Sequence, residues 1–291
     1  MTEIRLLAVP YEVGALRMGV GRGAERLLEA GAEEALRAAG ADVKLEVLEL
    51  EKHDRDRSGA SEAKASFDLI ELVASRVKQA VEDGAFPVLL SGSCFAGLGV
   101  VTGLMEDSPG VVWFDAHADF NTPDSTIEGY FDGMGVAILT GGAWQALVDQ
   151  AGTTTIPESA VLLAGARDFD PLEQQRLDSS DVQYLPPSRI DSDDAVARAA
   201  DGLNPAPTGL YLHVDLDVLD SEEARVNIYS APDGLSAAQL ESQVAALLDR
   251  CPVRAISLTA YDPEVDAEGR VPPIAMRLLE IVAERLARPA G

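Results

Sequence analysis

Apolar residues recur along the chain in two rhythms, and their alternation predicts the fold. Short β-branched or Leu-rich runs stand at 4–9, 43–49, 86–91, 110–115, 160–165, 182–185, 208–215 and 253–259. Their length and composition predict buried strands. Between most of them lie Ala/Leu/Glu-rich stretches with helical periodicity, clearest at 23–39, 63–83, 192–202, 237–250 and 273–287. Ser236 is placed to cap the helix that follows it, and Gly40 to stop the first one. Apolar strands separated by helices predict a parallel sheet covered on both faces. No repeat, low-complexity segment or Pro/Gly-rich linker divides the chain, so residues 1–291 read as one α/β domain.

Composition narrows the partners. Of the 291 residues 47% are hydrophobic, ample material for a core. No apolar run reaches the ~18 residues that span a bilayer, and "MTEIRLLAVPYEVG" lacks the basic flank and long apolar stretch of a signal peptide, which points to the cytoplasm. With 23 Lys+Arg against 49 Asp+Glu, a net charge of −26 repels nucleic-acid phosphates and anionic lipid headgroups alike. Neither nucleic acid nor membrane is therefore an expected partner. Acidic coating of solvent-facing helices explains most of that charge; attraction of a cationic substrate or metal ion is the functional alternative. Cys94 and Cys251 are too few for a disulfide framework and read as reduced thiols.

Ligands of open parallel sheets bind beyond the carboxyl ends of the strands, where loops converge. Four strands here end in unusual residues: "FPVLLSGSCFAG", "VVWFDAHADFN", "LLAGARDFDP" and "GLYLHVDLDVLD". If the chain stays extended, period-two spacing puts Asp115, His117 and Asp119 on one side, and likewise His213, Asp215 and Asp217. Four buried carboxylates need counter-charge, and few Lys or Arg lie near these motifs, so divalent metal is the simplest solution. An oxygen-rich set with a single imidazole suits Mn²⁺ better than structural Zn²⁺, and four carboxylates allow a pair of ions. Two competing readings stand beside this one. Acidic turns can follow strands without any ligand, and "DLDVLD" partly matches the haloacid-dehalogenase phosphatase motif, in which Asp215 becomes phosphorylated. That motif expects Thr or Val where Leu219 stands, and it leaves "DAHAD" unexplained.

Taken with "GALRMGVGRGAERL" and the late "SLTAYDP", these motifs resemble the ureohydrolase family: arginases, agmatinases and relatives that hydrolyse guanidino or formimino groups with two Mn²⁺ ions. The resemblance runs nearly end to end. It implies a three-layer α/β/α fold with an eight-stranded parallel sheet, and assembly into trimers or hexamers. Carried across, Asp115 and Asp215 bridge two ions, Asp119 and Cys94 complete one set, and His117 with Asp217 complete the other. Asp119 also holds the nucleophile and relays its proton. Asn121, Asp170 and Glu173 take positions that recognise the α-carboxylate and α-amino groups of an amino-acid substrate, with Glu128 replacing a small hydroxyl residue at the rim.

Three positions depart from arginases. Cys94 replaces a metal-ligating His, Asp132 a proton-shuttling His, and Ala260 a Glu that grips the guanidinium. Cys at the ligand position resembles the Nω-hydroxy-L-arginine amidinohydrolase branch, which releases L-ornithine and hydroxyurea; as a softer ligand it would weaken Mn²⁺ in its own site, so the expectation is one or two ions. A weaker base suffers less from the lost Glu. A family member that has lost catalysis and keeps a structural metal is the alternative. His213 has no ligand counterpart in the family pattern; it supports a ligating carboxylate from behind, substitutes for the lost imidazole, or is a plain core histidine. His53, in "EKHDRDRSG", carries no specific expectation.

Overall fold

The computed structural model describes residues 2–50, 59–104 and 109–288; His53 lies outside them. Its strands are β1 (Glu3–Val9), β2 (Tyr11–Glu12), β3 (Ala15–Leu16), β4 (Asp42–Val47), β5 (Phe86–Ser91), β6 (Gly110–Phe114), β7 (Val161–Ala164), β8 (Gln183–Leu185), β9 (Leu210–Asp215) and β10 (Val253–Thr259). Eight of them form one sheet in the order β4-β1-β5-β10-β9-β6-β7-β8, with every pairing parallel, while β2 and β3 make a small antiparallel hairpin. The eight expected runs thus become the eight strands of the sheet, with ends shifted by up to two residues.

The helices are α1 (Gly23–Glu29), α2 (Ala32–Ala38), α3 (Gly59–Glu82), α4 (Ala96–Gly103), α5 (Gly135–Leu139), α6 (Gln145–Gln150), α7 (Pro171–Asp178), α8 (Ala195–Ala200), α9 (Ala237–Arg250) and α10 (Val271–Leu286). Along β1, Ile4, Leu6 and Ala8 pack against α1, α2 and α8 to α10, whereas Leu7 and Val9 join the core under α3 to α7. This period-two division makes a three-layer α/β/α arrangement with two apolar cores.

Local signals set several boundaries. Ser236 accepts from Gln239 N at 3.2 Å and opens α9 with a capping box. Gly40, at φ 100°, ends α2 as expected. The continuous helix expected over 23–39 is instead two, broken at Gly31 with φ 104°, a conformation that glycine adopts without a Cβ clash. Four helices, α4 to α7, were not foreseen. The interior of α4 is buried all round, so it has no polar face and no amphipathic period to read. Among the described residues no helix is long and apolar enough to cross a membrane.

Candidate active site

The unusual strand ends meet above the middle of the sheet, where β5, β10, β9, β6 and β7 lie side by side. They do not meet by staying extended. β6 ends at Phe114, Asp119 has φ 49°, and Leu216–Val218 form a 3₁₀ turn directly after β9. The period-two expectation is corrected by a repeated turn: Asp115 Oδ1 accepts from His117 N at 2.7 Å, and Asp215 Oδ1 accepts from Asp217 N at 2.8 Å. Each leading aspartate therefore closes an Asx-type turn that brings the residue two places on to its own side. Asp217 Oδ1 then accepts from Ala116 N at 3.2 Å and ties the two turns together.

Two overlapping groups result. Cys94, Asp115 and Asp215 offer ligand atoms within 4.8 Å of one another, and so do Asp115, His117 and Asp217. Asp119 borders the same cavity of about 370 Å³, and its buried Oδ2 has no hydrogen-bond partner. A buried carboxylate oxygen without a donor is costly, and a cation satisfies it. The donor set, carboxylates with one imidazole and one sulfur, fits a pair of divalent cations.

Without cations, protons must supply the counter-charge. Burial, and then neighbouring carboxylates, push Asp115, Asp119 and Asp215 upward. Burial acts against a charged His117, yet Asp217 and Asp115, 3.5 and 3.2 Å from Nδ1, raise it to about 10. Burial likewise raises the Cys94 thiol, whose Sγ donates to Asp215 Oδ2 at 3.0 Å.

The remaining expected residues occupy different roles. Asp132 borders the cavity with both oxygens engaged, accepting from Cys94 N at 3.1 Å and Phe95 N at 3.0 Å, so it holds the turn that presents Cys94. Burial pushes it up to about 7. Asn121 Nδ2 donates to Asp170 Oδ2 at 3.2 Å, and Ile127 N donates to the same oxygen at 3.2 Å. Glu173 is buried and accepts from Phe120 N at 2.9 Å and Asp170 N at 3.2 Å, while Glu128 is exposed at the rim. Ala260 borders the cavity and contributes no charge. His213 is fully buried and belongs to neither metal group; Tyr211, Ser257 and Thr259 occupy its ring nitrogens. It neither replaces the lost imidazole nor bonds to a ligating carboxylate.

Several contributors escaped the sequence. Arg167, just before the Asp168 of "GARDFDP", donates to the carbonyls of Gly165, Asp217, Val218, Leu219, Ala231 and Pro232 and clamps the loop after β9. It is one of the few cations near these motifs, and it spends its donors on backbone. Asn227 Nδ2 donates to Asp217 Oδ2 at 3.0 Å and to Ala260 O at 3.1 Å. Trp113 Nε1 donates to Asp115 Oδ2 at 3.0 Å. Tyr130 and Tyr229 pair at 5.3 Å, with Tyr229 edge-on to His117. Nothing in "ARVNIYS" marks Asn227 or Tyr229, because their partners lie in other segments.

Residues 2–283 match the arginase family. An arginase of Staphylococcus aureus is 26% identical over 275 residues, covering 90% of this chain and 91% of its own. The Nω-hydroxy-L-arginine amidinohydrolase of Streptomyces lavendulae is 30% identical over 222 residues, covering 73% and 74%. Among solved structures, the arginase of Bacillus caldovelox superposes with a TM-score of 0.88 at 24% identity, covering 99% of each chain. That family frame accounts for "DAHAD" and "DLDVLD" together, which leaves the partial phosphatase motif nothing to explain. By its fold, its acidic strand ends and this match, the chain belongs to the arginase family of metal-dependent ureohydrolases.

Proposed function

We propose that the protein is a manganese-dependent amidinohydrolase that converts Nω-hydroxy-L-arginine and water to L-ornithine and hydroxyurea. The observation that carries this is Cys94: a buried thiol grouped with Asp115 and Asp215 where a harder ligand is the family expectation. The 30% identity to the amidinohydrolase of S. lavendulae supports the same substrate, as does the uncharged Ala260 at the cavity wall. An N-hydroxyguanidine is less basic than a guanidine and needs a carboxylate partner less.

Asp115 and Asp215 would be shared between two ions, with Cys94 and Asp119 on one and His117 and Asp217 on the other. The chemistry such ions supply is polarisation of the C=N group and acidification of water. The chain itself supplies orientation and proton transfer. As oxygen adds to the guanidino carbon and the C–Nδ bond breaks, one proton must reach Nδ. Asp119 borders the cavity beside both ligand groups, so its carboxylate can take that proton and deliver it. Asn121, Asp170, Glu173 and Glu128 recognise the amino-acid end.

The test is ornithine release by Mn²⁺-loaded protein, comparing Nω-hydroxy-L-arginine with L-arginine at equal concentration beside a metal-stripped control. Preference for the hydroxylated substrate is expected. A folded, metal-replete protein that hydrolyses neither overturns the proposal and favours a family member that has lost catalysis.

A further inference from the structure

Behind Cys94 the core holds four polar side chains that no ligand role uses. Tyr211 and His213 alternate on β9, Ser257 and Thr259 on β10, and the parallel register pairs His213 with Ser257 and Asp215 with Thr259. All four project from one face as a block that is at most 1% exposed. Thr259 Oγ1 lies 3.3 Å from Cys94 Sγ and 3.3 Å from His213 Nε2. His213 Nδ1 lies 2.9 Å from Tyr211 Oη, which in turn lies 2.6 Å from Ser257 Oγ. The Trp113 indole stacks on the imidazole at 3.5 Å and 10°, fixing the ring, while its Nε1 donates to Asp115. On the other side, a Cβ at Gly97 would lie 2.6 Å from Tyr211 Oη and 2.8 Å from His213 Nδ1, so only glycine leaves room for the pair.

The donors can be assigned from one end. A sulfur that ligates a cation can only accept, so Thr259 O–H donates to it in preference to the more distant Val214 carbonyl at 3.4 Å. Thr259 Oγ1 then accepts from His213 Nε2–H, which leaves Nδ1 to accept, from Tyr211 O–H at 2.9 Å in preference to Ser257 O–H at 3.2 Å. Ser257 O–H donates to Tyr211 Oη. Every polar atom is satisfied around a neutral imidazole, and each bond in the row points its hydrogen toward the sulfur.

We propose that Tyr211, His213 and Thr259 form a hydrogen-bond relay that positions and polarises Cys94 Sγ as a metal ligand. Cys94 is then a supported ligand with its own outer partners and not a remnant of a degraded site. The relay rests on the metal-binding reading of the cluster and is independent of which substrate is hydrolysed.

Cobalt(II) alone is the probe, titrated into metal-stripped protein while the near-ultraviolet sulfur-to-cobalt charge-transfer band and the visible ligand-field bands are followed. Wild type should show both. Thr259→Val, which removes the donor, should move the charge-transfer band to lower energy and weaken Co²⁺ binding roughly ten- to a hundred-fold. Thr259→Ser should restore both, and Tyr211→Phe should shift the band less in the same direction. Because Thr259→Val can fail to fold, melting is checked on each variant and Tyr211→Phe serves as the second measure. Folded Thr259→Val or Tyr211→Phe with an unmoved band and affinity overturns the relay. Ligand-field bands without charge transfer in wild type overturn Cys94 as a ligand, and no cobalt bands at all overturn the metal reading with everything built on it.

Discussion

Asp119 and Ala260 both hold left-handed backbone, at φ 49° and 64°, for different reasons. Aspartate tolerates that region through its short polar side chain. Alanine does not, and it is held there by its N–H to Gly92 O at 3.0 Å and its carbonyl to Asn227 at 3.1 Å. Replacing Ala260 with Gly should raise the unfolding free energy by about 1 kcal/mol, read from urea denaturation. Ala260→Glu adds a carboxylate to the cavity wall and should shift the kcat/KM ratio toward L-arginine on the order of tenfold; an unchanged ratio would show that the missing charge does not select the substrate. Asp119→Asn keeps the shape and removes the proton carrier, and is expected to lower kcat by roughly a hundred- to ten-thousand-fold with the fold intact by circular dichroism.

At the scale of elements, the site is made by turns that start where strands stop. The paired Asx turns at Asp115 and Asp215 set the carboxylates, and Arg167 keeps the loop after β9 against them. Arg167→Met leaves its carbonyl acceptors without that donor and should cost about 3 kcal/mol or more, measured by denaturant unfolding. Arg167→Lys should recover only part, since an ammonium has three donors and no planar fork. The turn residues were legible because D-x-H and D-x-D are local. α4 was not, because a helix buried all round presents the same apolar run as a strand.

For the whole molecule, the buried acidic cluster couples protons, cations and stability. Glu173 is raised by burial from 4.5 to about 7, and Asp132 from 3.8 to about 7. Between those values the folded state binds more protons than the unfolded chain, so stability falls as pH rises and the loss is complete above about 7. His117, raised from 6.5 to about 10, contributes stability that is full below 6.5 and is lost as pH rises through 10. All three slope the same way, by up to about 1.4 kcal/mol per pH unit each. Metal-stripped protein should therefore melt lower at pH 8 than at pH 5.5, a difference that Mn²⁺ reduces by replacing protons as counter-charge. Proton release on loading, seen as acidification of a weakly buffered solution, checks the same linkage; no release would mean that the cluster is already deprotonated.

Periodicity and local pairs carried the sheet, most of the long helices and the acidic strand ends, since those depend on neighbours two to four residues apart. Tertiary structure alone decided what surrounds the cluster. Cys94 meets Asp215 across 121 residues and Thr259 across 165, and Asp132 reaches back 38 to hold the turn at Cys94. The sequence carries no local trace of these contacts: a threonine on a buried strand reads the same whether or not it faces a sulfur. Only the parallel register that sets β9 beside β10, and the turn that brings Cys94 down to them, places Thr259, His213 and Tyr211 in a row behind its sulfur.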